Sequence, residues 1–146
     1  MGNHVEVFVH IVWGTHARRP LLAVDLEAAV HRSIAAKCTE LGCAPIAIGG
    51  TDDHVHLFTR LHPTTPLSTL VEQVKGVSSH LANRRRPDNQ PFRWQPGYGA
   101  FSISTEDAPA VERYVLNQKQ HHRKHALNPR LELDDGRDGG LTTPRC

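Results

Sequence analysis

APIAIGGTDDHVHLFTRL, residues 44–61, decides the fold. Two short apolar runs, 44–50 and 54–61, are separated only by Thr51, Asp52 and Asp53. A link that short between strands closes a hairpin, so the two runs lie antiparallel and side by side. Long helical patterns flank the hairpin. Upstream, Leu26, Ala29, Val30, Ile34, Cys38 and Leu41 keep helical spacing, with Asp25 as the expected N-cap and Gly42 as a left-handed stop. Downstream, Leu67, Leu70, Val71, Val74, Val77 and Leu81 form a second apolar stripe. Thr65 is its expected cap, Pro66 its first residue, and Pro87 its end.

Farther out, residues 4–13 (HVEVFVHIVW) alternate with period two, which puts Val5, Val7, Val9 and Ile11 on one face of a first strand. Residues 100–105 (AFSIST) alternate like a fourth strand, after a loop rich in Pro, Gly and Asn. Thr105 or Asp107 caps a third helix that carries Pro109 in its first turn and runs to about His125. The order β-α-β-β-α-β-α begins with the split βαβ pattern of a ferredoxin-like sandwich. The expected class is α+β: a mainly antiparallel sheet with helices over one face, plus a C-terminal helix. Residues 1–126 read as one domain, and 127–146, without a sustained apolar period, as an irregular tail.

A chain of 146 residues suits a single core. The net charge of +2 announces no nucleic-acid partner by itself. From Leu127 onward three basic residues face four acidic ones, so the tail is −1 and the body +3. Cys38, Cys43 and Cys146 form neither a C-x-x-C pair nor an even framework, which suggests reduced thiols in a cytoplasmic protein. No signal peptide is apparent, no apolar run approaches the ~18 residues of a membrane span, and Glu6 argues against lipidation at Gly2. The unusual count is histidine, at eleven.

Two of those histidines, His54 and His56, stand at i and i+2 on the third strand. They therefore share one face, while Val55 and Leu57 turn to the other. Two imidazoles so placed can converge on one ion. By spacing alone, two satisfied histidines on a partly wet sheet surface explain the pattern slightly better, since H-x-H arises often by chance among eleven histidines. A divalent ion also needs further ligands. The third helix offers one: VERYVLNQKQHHRKH (111–125) puts Tyr114 and Gln118 one turn apart, between Val111 and Val115. An amphipathic helix with a half-buried tyrosine is the common version of that pattern. The combination has its own logic, because a phenol with a free pKa of about 10 becomes a useful nucleophile when its target phosphate is polarised by a metal.

His-hydrophobic-His followed by one downstream tyrosine resembles the signature of the single-tyrosine HUH transposases of small insertion sequences, REP-associated tyrosine transposases among them. Five stretches are similar to that family in order: HIVWGTHARRPLL, GGTDDHVHLFTRL, VEQVKGVSSHL, FRWQPGYGAFSIS and VERYVLNQKQHHR, over roughly residues 8–123. The resemblance implies that His54, His56 and Gln118 hold Mg²⁺ or Mn²⁺. It implies that Tyr114 attacks single-stranded DNA, forming a 5′-phosphotyrosine link and a free 3′-hydroxyl. It further implies hairpin-bearing DNA as partner, no need for a nucleoside triphosphate, and a homodimer in which one protomer's tyrosine helix completes the other's site. Past HHR the likeness stops, where family members often continue with another amphipathic helix.

Single-stranded and hairpin DNA calls for Lys and Arg at phosphates and for rings against bases. Arg18, Arg19, Lys75, Arg84, Arg85, Arg86, Arg93 and Trp94 are the candidates, and Tyr98 is a structural or DNA-contacting tyrosine. The first strand and the connection after it are the expected dimer edge. Two other readings stay open at this point: a non-catalytic nucleic-acid-binding domain of the same fold, and a small metal-dependent hydrolase with a structural Tyr114.

Overall fold

The computed structural model describes residues 2–86 and 89–119. Four strands, β1 (Phe8–Gly14), β2 (Ala44–Gly50), β3 (His54–Arg60) and β4 (Gly99–Ile103), form one sheet in the order β2-β3-β1-β4. Every neighbouring pair is antiparallel. With α1 (Val24–Glu40) and α2 (Leu67–Arg85) as connections, this is the split βαβ arrangement the hairpin predicts.

Alternation along the strands builds two cores. Val9, Ile11 and Trp13 of β1 and Val55 and Leu57 of β3 face α1 and α2, meeting Leu26, Val30, Ile34, Leu70, Val71 and Val74. Burial here pushes the Cys38 thiol up to about 12, with Cys43 nearby as a lesser cause, so it is no nucleophile at neutral pH. The opposite face is not open to water, as an arrangement with helices on one side only would leave it. A third helix, α3 (Ala108–Leu116), lies across it, and Val111 and Val115 pack on Ala47 and Phe58.

Several boundaries differ from the sequence expectation, each for a local reason. β1 begins at Phe8, not at residue 4, because its partners end at Arg60 and Ile103, both opposite Phe8. Ala23 occupies the N-cap of α1, and Asp25 sits in the first turn, where its carboxylate still opposes the helix dipole. Pro66 is the N-cap of α2, while the Thr65 hydroxyl donates instead to the Leu41 carbonyl at 2.8 Å. β4 ends at Ile103, two residues before the expected Thr105. Asp107 does stand at the N-cap of α3, without a side-chain cap bond, and Gly42 takes the left-handed stop with φ +80°. β1 is paired on both sides, so it is not a dimer edge; the sheet's edges are β2 and β4. The expected continuation of α3 to His125 and the tail at 127–146 lie outside the described residues. Among the described residues no helix is long and apolar enough to cross a membrane.

Candidate active site

The face under α3 carries the histidines. His54 and His56 are 1% and 0% exposed, so the wet-surface alternative does not hold. The register makes room for their rings: Gly14 stands opposite His54, and Gly49 opposite His56. The two rings lie 5.0 Å apart, centroid to centroid, at 70°.

Each imidazole has its Nδ1 engaged by a different partner. His54 Nδ1 lies 2.8 Å from Asp53 Oδ1 and 3.0 Å from Thr51 Oγ1. His56 Nδ1 lies 2.8 Å from Nε2 of His10, a wholly buried residue of β1 whose ring is nearly parallel to that of His56, at 16° with centroids 5.0 Å apart. Asp53 also accepts from Arg18 Nη2 at 3.1 Å and from the Thr51 hydroxyl at 3.0 Å. Burial pushes the Asp53 carboxyl up, but the His54 hydrogen bond and the Arg18 charge outweigh it and hold the group well below the usual carboxylate range.

The segment that delivers Arg18 is strained. Ala17 and Arg18 both have positive φ, 54° and 53°, a left-handed pair that non-glycine residues rarely adopt. Thr15 fastens this turn to the site: its amide donates to the Asp53 carbonyl at 2.8 Å, and its hydroxyl donates to the Arg19 carbonyl at 2.6 Å. Such outliers persist only where surrounding bonds over-determine them.

Tyr114 and Gln118 come from α3 and the turn after it, and they are 8% and 1% exposed. The Tyr114 ring stands edge-on to His56 at 6.0 Å and to His10 at 6.5 Å. The Gln118 side-chain amide donates to the Tyr114 carbonyl at 3.0 Å. Two contacts hold α3 down. The Val115 carbonyl sits 1.9 Å from where a Cβ on Gly49 would be, so only glycine admits this approach. Lys119 pairs with the buried Glu27 of α1.

The histidine pair and the Tyr114 ring thus meet on one face within one chain, and Gln118 is buried one helical turn beyond Tyr114. Among the described residues no group of three or more His, Cys, Asp or Glu is placed to hold a metal. The donors on offer are two imidazoles and an amide oxygen, a mixed set that suits a divalent ion only with added water or phosphate oxygens. The engaged Nδ1 atoms fit that role, because metal-binding histidines almost always have their other nitrogen held.

The remaining candidates scatter. Arg18 is tied to Asp53, its side chain 19% exposed. Arg19, Arg84, Arg85 and Arg93 are exposed. Lys75 donates to the Gln95 and Gly97 carbonyls at 2.8 and 2.9 Å, and Arg86 to the Leu21 carbonyl at 3.0 Å. Trp94 bonds Ser78 Oγ at 3.0 Å and packs edge-on against Trp13 and Phe92. Tyr98 packs against the core on the far side of the sheet. Sequence reasoning missed His10, Asp53, Thr51 and Gly49. His10 alone left a readable signal, since even-numbered β1 positions share the face of His54 and His56.

Residues 3–118 match the model of the family described as Transposase IS200 like. No curated protein matches the chain at a comparable level. A chain from Deinococcus radiodurans R1, described as a transposase, has a similar structure with a TM-score of 0.66 at 23% identity. The match covers 81% of this chain and 95% of that one. The structure of a REP-associated tyrosine transposase bound to a REP hairpin gives a TM-score of 0.63 at 14% identity, over 87% of this chain and 74% of that one. At these identities the two likenesses establish a shared fold.

Proposed function

The chain belongs to the IS200-like transposase family, and from that premise we propose that it cleaves and rejoins single-stranded DNA at hairpin-bearing element ends, with Tyr114 as the nucleophile. The observation that carries this reading is the Tyr114 ring held 6.0 Å from His56, with Gln118 one helical turn on, both buried with the histidine pair. The Tyr114 oxygen attacks phosphorus; the O–P bond forms and the P–O3′ bond breaks. The departing 3′ oxygen leaves as a hydroxyl, balancing the proton given up by the phenol. Attack by another 3′-hydroxyl on the phosphotyrosine reverses the step and rejoins the strand, so no triphosphate is consumed.

His54, His56 and Gln118 would hold Mg²⁺ or Mn²⁺. Bound there, the ion would polarise the phosphate and stabilise the charge that develops on it. Arg18 stands beside His54, where a guanidinium suits a phosphate. Arg19, Arg84, Arg85 and Arg93 supply further phosphate contacts. Lys75, Arg86 and Trp94, whose polar groups are engaged within the chain, stiffen the surface that presents them. A second copy of the chain is the other partner on this reading, with β2 and β4 as the edges open to pairing.

The test is incubation of a labelled hairpin-bearing oligonucleotide with the protein and Mg²⁺ or Mn²⁺, followed by a denaturing gel. A covalent adduct is expected. Cleavage without an adduct would point to a hydrolase, and retarded DNA with neither to a non-catalytic binding domain. Because affinity rests on a few phosphate contacts, binding should weaken by roughly 10- to 100-fold between about 50 and 200 mM salt. Filter binding measures this, and a salt-independent affinity contradicts it.

A further inference from the structure

We infer that His10 is a positioning residue: it fixes the tautomer of His56 so that the two HUH imidazoles present the same ring nitrogen, Nε2. The inference rests on the reading in which His54 and His56 hold a cation. It goes beyond that reading by assigning a task to a residue outside the motif.

Two ring nitrogens 2.8 Å apart need one proton between them. In a neutral imidazole one nitrogen donates and the other accepts. Either His56 Nδ1 donates to His10 Nε2, or the reverse. Only the first choice puts a lone pair on His56 Nε2, where a cation can take it. His54 shows which choice the site is built for. Its Nδ1 lies 2.8 Å from the Asp53 carboxylate, an acceptor, with Thr51 Oγ1 at 3.0 Å and the donor Arg18 Nη2 farther off at 3.2 Å; the shortest contact is met by a proton on Nδ1, which puts the lone pair on Nε2. His10 does for His56 what Asp53 does for His54. It does so without charge, at a place in the middle of the sheet where a carboxylate would have no Arg18 beside it.

The surroundings of His10 fix its ring in place. It is 0% exposed and lies on β1, which is paired on both sides. Its ring lies edge to edge with that of His56 and is bounded by Phe101 at 6.0 Å and Tyr114 at 6.5 Å. If filling space were its whole task, an apolar ring would serve as well without burying polar nitrogens.

The test is a long-range ¹H–¹⁵N spectrum of the full chain at a pH where the imidazoles are neutral, with His56 assigned from a His56→Gln variant. His56 should carry its proton on Nδ1 in the wild type and in His10→Gln, whose amide oxygen accepts in place of the ring. In His10→Phe the proton should move to Nε2 or divide between the two nitrogens. Mn²⁺ affinity by titration calorimetry should fall about 10- to 100-fold in His10→Phe, and much less in His10→Gln. A proton on Nε2 of His56 in the wild type, or one tautomer unchanged in all three proteins, overturns the inference. If His10→Phe does not fold, the wild-type spectrum decides alone. A wild type that shows the Nδ1 proton but takes no Mn²⁺ refutes the cation reading and leaves the positioning role standing.

Discussion

Replacing Tyr114 with Phe is expected to lower single-strand cleavage by at least about 10⁴-fold, since loss of a nucleophile removes the chemical step itself. The substitution is structurally mild. A phenylalanine ring fills the same space against His10 and His56, and the lost hydroxyl should cost folding stability no more than about 1–2 kcal/mol. A thermal melt within a few degrees of the wild type, beside single-turnover cleavage that is no longer measurable, is the expected pair of results. Hairpin binding should survive, because the phosphate contacts lie elsewhere. The other tyrosine cannot take over: Tyr98 packs on the face of the sheet that meets α1 and α2. Residual cleavage near the wild-type rate would assign the chemistry to another group.

The second large effect is expected at Gly49, a residue with no chemistry of its own. A Cβ there would fall 1.9 Å from the Val115 carbonyl oxygen and 2.9 Å from its carbon. Both are backbone atoms, so no rotamer change relieves the clash. Gly49→Ala must push α3 away from β2 and carry Tyr114 and Gln118 with it. A displacement of about 1 Å at a reacting group can cost about 10²-fold in rate, and this clash demands at least that much. Cleavage should therefore drop 10²-fold or more, with faster amide hydrogen exchange across residues 108–119. Mn²⁺ affinity should fall less than in a histidine variant, because both imidazoles remain in place. If exchange in α3 is unchanged and cleavage intact, α3 does not work from the position described.

How much of this was legible in the sequence depended on how local the cause was. The hairpin, both long helices and the shared face of His54 and His56 follow from periodicity, which backbone geometry enforces within a few residues. Asp25 and Thr65 look like caps by residue type, yet both helices start elsewhere, and Thr65 bonds the end of α1 instead. The covered second face had a signal that went unread: Phe8, Phe58, Phe101 and Ile103 all lie on it, too many large apolar groups for a wet surface. The left-handed Ala17–Arg18 pair had none, because a network spanning Thr15, Arg19 and Asp53 imposes it. His10, Asp53 and Gly49 gain their places only once β1, β2 and α3 come together around β3. For the basic residues, sequence identified charge but not whether the charge was already engaged, as it is for Lys75 and Arg86.

The proposed chemistry forms a covalent bond at one oxygen atom, and that bond can be observed directly. The protein, incubated with hairpin-bearing single-stranded DNA and Mn²⁺, is denatured, digested with nuclease and protease, and analysed by mass spectrometry. The result expected is a single peptide carrying a nucleotide phosphate on Tyr114. A nucleotide on Tyr98 or any other residue, or cleaved DNA with every peptide unmodified, would contradict the account.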